Sequence, residues 1–177
     1  MIRLIAPVAI AFFMTACDAT PAEATASAQL MATQGNSVTG QVQFTQKGNK
    51  VLVTGEVRGL QANTEHGFHV HERGDCSSGD GLNAGGHFNP DGKAHGAHDQ
   101  NEHHAGDLPS LKADASGTAL VRFESSTLSV GVGKADVVGR GLIVHRDPDD
   151  YTAQPTGNSG PRVACGVIAR SGATFVA

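Results

Sequence analysis

Apolar and polar positions alternate along most of the chain after residue 37. Val38, Gly40, Val42 and Phe44 fall on one face and Thr39, Gln41, Gln43 and Thr45 on the other. Successive strand side chains point to opposite faces, so this pattern predicts a half-buried strand. It runs into the turn Lys47-Gly48-Asn49, and the alternation of Val51, Val53, Gly55 and Val57 with Leu52, Thr54, Glu56 and Arg58 predicts its hairpin partner. Gly59 ends that strand and Leu60 is expected to cap one end of the core. The same period of two returns at His66 to Glu72, Thr118 to Phe123, Leu142 to His145 and in a last strand over Val163 to Arg170. In the strand at 66–72, Phe68 and Val70 face the core while His69 and His71 project from the opposite side.

Two stretches carry no such pattern. Arg73 to Asp107 spans 35 residues rich in Gly, Asn, Asp and His, and Arg146 to Pro161 is a second polar loop. A loop as long as the first is unusual inside a compact domain unless something other than backbone ladders orders it. Cys76 at its start and the metal-ligating side chains along it are the available fasteners.

Composition supports an all-β reading. The 177 residues include 23 glycines and one tyrosine but no tryptophan, a turn-rich balance at a one-domain length. Strands in hairpins with two long loops suggest a closed or nearly closed antiparallel sandwich or barrel. The formal charge is −4, or −5 once Arg3 is removed with a leader, and no basic run exists, which argues against a nucleic-acid partner.

The first residues read as a secretion signal, with Arg3 as the positive end and an apolar run from Leu4 to Met14 broken by Pro7. That run falls short of the roughly 18 apolar residues that suggest a membrane-spanning helix. It ends in Met14-Thr15-Ala16-Cys17, which resembles the lipobox of bacterial lipoproteins, so Cys17 is a candidate for lipidation and membrane attachment. Cleavage near Ala22-Glu23-Ala24 or Ala26-Ser27-Ala28 is the alternative. The expected organisation is therefore a signal peptide over 1–16, a flexible tether over 17–29 and a single domain over 30–177, working in the periplasm or cell envelope. If Cys17 is lipidated or removed, Cys76 and Cys165 remain as an even pair in an oxidising compartment, and a disulfide between them is expected.

Nine histidines raise the question of metal chemistry. His87 sits in Gly85-Gly86-His87-Phe88-Asn89-Pro90-Asp91-Gly92, a stretch of glycines and turn formers suited to a rigid loop. His95, His104 and Asp107 follow on the same loop. Three imidazoles and one carboxylate satisfy a closed tetrahedral zinc site, whose binding would help to order the loop. His145, at the end of an alternating strand, is free to join His69 and His71. His66 is expected to be a structural hydrogen-bonding group, while His98 and His103 are expected to be solvated loop residues.

The motifs Gly67-Phe68-His69-Val70-His71-Glu72, Gly86-His87-Phe88-Asn89-Pro90, His104-Ala105-Gly106-Asp107, Val144-His145 and Gly160-Pro161-Arg162-Val163-Ala164-Cys165-Gly166 resemble, in order, those of the copper/zinc superoxide dismutases. The resemblance runs from about Val38 to Arg170. It implies an eight-stranded antiparallel Greek-key barrel or sandwich with two long functional loops. It further implies one copper on His69, His71, His87 and His145, and one zinc on His87, His95, His104 and Asp107, with His87 bridging. Asp149 would hydrogen-bond one ligand on each side, Arg162 would orient superoxide beside the copper, and Thr156 would line the channel. An all-nitrogen set suits Cu(II), which cycles by one electron as zinc does not.

The chain departs from the animal cytosolic pattern in two places. Gln154-Pro155 stand where a steering lysine is expected, leaving Lys93, Lys112 and Lys134 as candidates, and Cys76 falls only five residues after His71. The cysteine spacing resembles that of bacterial periplasmic members, which differ among themselves in being homodimers or monomers. Two competing functions are a non-catalytic copper-binding module and a zinc hydrolase. Against the first, all seven ligands and Arg162 are present. Against the second, the zinc set is closed and leaves no place for a catalytic water.

Overall fold

The computed structural model describes residues 23–171. The leader expected over 1–16 and the lipidation expected at Cys17 lie outside the described residues. Among the described residues, ten antiparallel strands follow one another: β1 Thr25–Ala32, β2 Thr39–Lys47, β3 Lys50–Arg58, β4 Glu65–His66, β5 Phe68–His71, β6 Leu111–Lys112, β7 Ala119–Ser125, β8 Gly141–His145, β9 Arg162–Val167 and β10 Ala169–Arg170. Eight form one sheet in the order β5-β8-β9-β1-β2-β3-β7, with β10 also on β1. The remaining pair, β4 with β6, joins the two ends of that order. β4 runs directly into β5, and Asp114 at the end of β6 donates its N–H to Thr118 O just before β7 at 2.9 Å. The order jumps between strands distant in sequence, and the result is an all-β Greek-key barrel.

In β2, β3 and β7 the alternation read from the sequence is the alternation of burial, whereas β5 and β8 are buried on both faces. Val42 and Phe44 of β2, Val51, Val53 and Val57 of β3, Phe68 and Val70 of β5, and Leu142 and Val144 of β8 are buried in one core. The hairpin pairs Phe44 with Val53 and Val42 with Gly55 in register. The last predicted strand is interrupted at Ile168, whose main chain turns to Arg140 O and Gly139 N, so that β9 continues on β8 while β10 pairs with β1.

One boundary needs correction. Thr25 to Gln29, placed in a tether, belong to β1, where Ala26, Ala28 and Leu30 are fully buried. The alternation was present but carried by alanines, whose small apolar side chains resemble a linker composition. β1 lies between β2 and β9 at the middle of the sheet, so neighbours on both edges outweigh its weak intrinsic preference.

A second finding concerns the long first loop. It has little regular structure, a short 3-10 turn at Leu82–Ala84 apart, yet it is not free of backbone pairing. It returns along the edge of β5 that β8 leaves open, through isolated bridges of His71 with His87 and of His69 with Asp107. Val70 donates to Gly106 O at 2.9 Å and Phe88 donates to Val70 O at 2.8 Å. A Cβ on Gly106 would collide with Val70 O, so this close approach requires glycine there. The loop is also tied covalently to β9 by the Cys76–Cys165 disulfide.

Candidate metal centre

β5 sits between β8 and the returning loop, and every histidine proposed on either side of it is buried. Two groups of side chains bring their ligating atoms within 4.8 Å of one another: His69, His71, His87 and His145, and His87, His95, His104 and Asp107. His87 belongs to both. His66, His98 and His103 belong to neither, although His103 immediately precedes His104 in sequence.

The hydrogen bonds of the first group fix where its lone pairs point. His71 Nδ1 lies 2.9 Å from Gly85 O and His145 Nδ1 lies 3.0 Å from Gly160 O. A carbonyl can only accept, so both Nδ1 atoms carry the proton and both Nε2 atoms present lone pairs. Those two Nε2 atoms face each other at 3.3 Å. His69 donates from Nε2 to Asp149 Oδ2 at 2.8 Å, leaving its buried Nδ1 without a hydrogen-bond partner. Three converging lone pairs in a buried place are unfavourable for protein groups alone and suited to a cation, with a carbonyl or carboxylate behind each imidazole as metal-ligating histidines require.

The second group centres on Asp107. Its Oδ1 lies 2.8 Å from His87 Nδ1 and 3.2 Å from His104 Nδ1, and its Oδ2 lies 3.1 Å from His95 Nδ1 without hydrogen-bonding geometry. Oδ2 also accepts the main-chain N–H of His104 at 2.8 Å and of Gly96 at 3.2 Å, so the carboxylate both gathers the imidazoles and shapes the loop. Three nitrogens and one oxygen of this kind fit zinc.

Asp149, on the second loop, spans the two groups: Oδ2 takes His69 and Oδ1 takes His95 Nε2 at 3.1 Å. Gly157 packs against Asp149 Oδ1 and His95 Nε2 so closely that a Cβ there would overlap both. Ser159 donates to the same Oδ1 at 2.9 Å.

Protonation differs between the two sides. Burial, reinforced by neighbouring histidines, holds His71 well below the ordinary imidazole range, His87 at about 4 and His145 at about 3. Burial acts the same way on His95, but Asp107 and Asp149 on its two nitrogens outweigh it and raise this histidine to about 9. For Asp107 and Asp149, burial pushes upward and the hydrogen-bonded histidines outweigh it, so both remain ionised.

The first group opens to solvent through a cavity of about 470 Å³ lined by His71, His145, Thr156, Asn158, Gly160 and Arg162 among others. The Arg162 guanidinium is held by the carbonyls of Gly81 and Gly85. Gly85 O therefore serves both His71 and Arg162. None of Lys93, Lys112 and Lys134 lines this cavity: the first bonds Asn101 O, and the others pair with Glu65 and Asp91.

Two further expectations meet the structure here. His66 bonds His145 O at 3.0 Å and Thr64 at 2.8 Å, as a structural histidine. His103 is not solvated: it is buried, with Nδ1 2.6 Å from His104 O, and His98 is half-buried with Nδ1 3.0 Å from Asp107 O. The loop doubles back, bringing Gly96 against Glu102 O and the rings of His98 and His103 to 5.4 Å, which removes both from open solvent. The sequence reading also missed the carbonyls of Gly85 and Gly160 and the side chains of Ser159 and Gln154. Main-chain acceptors leave no residue-type signal, and nothing local marks a serine or glutamine as a partner of a distant histidine.

An antiparallel β-barrel whose two adjoining ligand groups share one imidazole defines a two-metal protein. The family model described as copper/zinc superoxide dismutase (SODC) matches residues 38–168. The chain is 38% identical over 147 residues to "Superoxide dismutase [Cu-Zn] 2" of Aquifex aeolicus, covering 81% of this chain and 85% of that protein. It is 41% identical over 137 residues to the "Superoxide dismutase [Cu-Zn]" of Paramecium bursaria Chlorella virus 1, covering 74% and 72%. It is also 40% identical over 135 residues to the "Extracellular superoxide dismutase [Cu-Zn]" of Caenorhabditis elegans, covering 73% and 60%. A crystal structure of the clock protein EA4 superposes with a TM-score of 0.76 at 38% identity, covering 85% of this chain and 96% of that one. The chain belongs to the copper/zinc superoxide dismutase family. It is an enzyme whose substrate is superoxide and whose cofactors are copper and zinc. Among the described residues, no helix is long and apolar enough to cross a membrane.

Proposed function

We propose that His69, His71, His87 and His145 hold the copper, that His87, His95, His104 and Asp107 hold the zinc, and that the reaction runs in the cavity beside Arg162. The observation that carries this reading is the membership of His87 in both ligand groups. Bound copper supplies reversible one-electron chemistry, and zinc supplies a fixed positive charge that does not cycle.

The residues divide the remaining work. Arg162, charged at any physiological pH and aimed by two carbonyls, draws the anion into the cavity and orients it against His71 and His145. His87 has its Nδ1 committed to the Asp107 side, so its exchangeable proton is carried at Nε2, at the other end of the ring. Taking a proton there and releasing it to the reduced oxygen species accounts for one of the two protons consumed when two superoxide ions become oxygen and hydrogen peroxide. Asp149 keeps His69 and His95 in their tautomers and positions. Thr156 and Asn158 bound the cavity wall.

The place of work is the cell envelope, with Cys17 as a lipidation site. Support comes from the leader-like first residues, from the disulfide, which persists in oxidising compartments, and from an extracellular relative. Cleavage ahead of Thr25 keeps β1 whole, whereas a cut after Ala28 would remove half of it. Mass spectrometry of the mature N-terminus tests this: an acylated Cys17 is expected, and an unmodified N-terminus beyond residue 17 overturns the anchor.

The function itself is tested by metal analysis together with a superoxide-consumption assay. One copper and one zinc per chain with rapid consumption is the expected result. A fully loaded protein inert toward superoxide overturns the reading in favour of a copper-binding module.

A further inference from the structure

Gln154 lies on an exposed turn of the second loop, yet its side-chain amide meets the main chain of the buried His95 at two points. The His95 N–H donates to Gln154 Oε1 at 3.0 Å, and Gln154 Nε2 donates to His95 O at 2.9 Å. One planar amide facing one residue in this way reproduces the paired bonds of two antiparallel strands. His95 lies in no strand of its own, and buried main-chain groups must be paired. The same device occurs two residues earlier, where Asn89 Oδ1 accepts from Lys93 N at 3.0 Å and Asn89 Nδ2 donates to Lys93 O at 2.8 Å. The segment that carries His95 is thus held by two side-chain amides in place of a partner strand, one from its own loop and one from a loop 59 residues away.

We infer that Gln154 is a positioning residue that sets the zinc affinity of the site by fixing the main chain of His95, an inference that rests on the ligand assignment above. Asp149 holds the His95 ring at Nε2 but does not fix the Cα from which the ring projects. Metal–ligand distances tolerate shifts of only about 0.2 Å, so a ring that is correctly turned on a wandering backbone still binds poorly. The amide is specific for this task. Glutamate keeps the acceptor but sets a second acceptor against His95 O, and asparagine is one methylene too short to reach from the same backbone. Metal binding and loop order are then linked, and each strengthens the other by the same factor.

The test is zinc titration of the full chain, stripped of metals, against a chromophoric chelator, with cobalt(II) absorption as a report on the geometry of that site. Gln154→Met keeps length and volume without hydrogen bonds, and Gln154→Glu removes the donor alone. Both are expected to weaken zinc about tenfold or more, the range seen when the group behind a metal ligand is removed. Both should also shift the cobalt band, while copper affinity stays within about twofold. Unchanged zinc affinity with an unchanged cobalt spectrum overturns the inference, as does an equal loss of both metals, which would mark a merely structural residue. Asp107→Asn separates the two levels. If it retains the parent's zinc affinity, the ligand assignment fails and this inference falls with it. If it loses zinc while the Gln154 variants do not, the inference alone fails.

Discussion

The two halves of the metal centre are built on different foundations. On the side proposed for copper, His69, His71 and His145 stand on β5 and β8, adjacent strands paired through Phe68 with Val144 and His71 with Gly141, so the sheet itself fixes their spacing. On the side proposed for zinc, His95, His104 and Asp107 stand on a loop whose order comes from isolated bridges, one disulfide, the Asp107 carboxylate and side-chain amides. The first set is preorganised by backbone ladders. The second is held by contacts that each depend on the others, and a metal at its centre adds to them. His87 is where the two meet, on the loop but bridged to β5.

Five experiments press on this contrast, from the largest expected effect to the smallest. His145→Ala removes one ligand from the rigid side, so activity should disappear and copper should be lost while zinc stays bound. Metal analysis checks this, and unchanged copper occupancy would break the assignment. Replacing Cys76 and Cys165 by serine releases a loop closed across 89 residues. The chain-entropy model puts the loss at about 4.6 kcal/mol, read as a lower melting temperature. Stripping both metals should raise hydrogen exchange in residues 73–107 by about a hundredfold, since local opening follows local stability, while amides of the β2–β3 hairpin stay protected. Uniform loss of protection would show that the zinc side is no softer than the rest.

Arg162→Ala should keep both metals and lower kcat/KM about tenfold or more, the scale of one charged hydrogen bond. Unaltered kinetics would remove Arg162 from the mechanism. The smallest effect is on pH. His87 and His145 lie at about 4 and 3, so protons compete for these two imidazoles only below about pH 4. His95 is raised to about 9 and must give up a proton to bind metal below that pH. Zinc affinity should therefore fall by up to about tenfold per unit as pH drops from 9. Chelator competition at several pH values checks the sign, and copper weakening at a higher pH than zinc would reverse the comparison.

How much of this was legible in advance differs by region, for a physical reason. The period of two marked β2, β3, β5, β7 and β8 because their inward positions carry Val, Leu and Phe. It failed for β1, where the inward positions 26 and 28 are alanines, residues that do not by themselves distinguish a strand from a tether. His98 and His103 illustrate the opposite failure. Without a ligand role they were expected in solvent, whereas the doubling back of the loop buried His103 and half-buried His98. The short β4 and β6 could not be read at all, since two residues carry no period and their pairing is what closes the sheet.

The sequence by itself determined the all-β class, the histidines and the aspartate that gather into two groups, the two long irregular loops and the two cysteines that pair, because residue type and spacing are local properties. Only the tertiary structure decided that the first loop returns along the open edge of β5, that Gly85 O serves both His71 and Arg162, and that Gln154 grips His95 from across the chain. Those contacts join main-chain atoms or side chains far apart in sequence. They form where folding brings an unpaired polar group to a partner that can satisfy it, and nothing in a local pattern records that meeting.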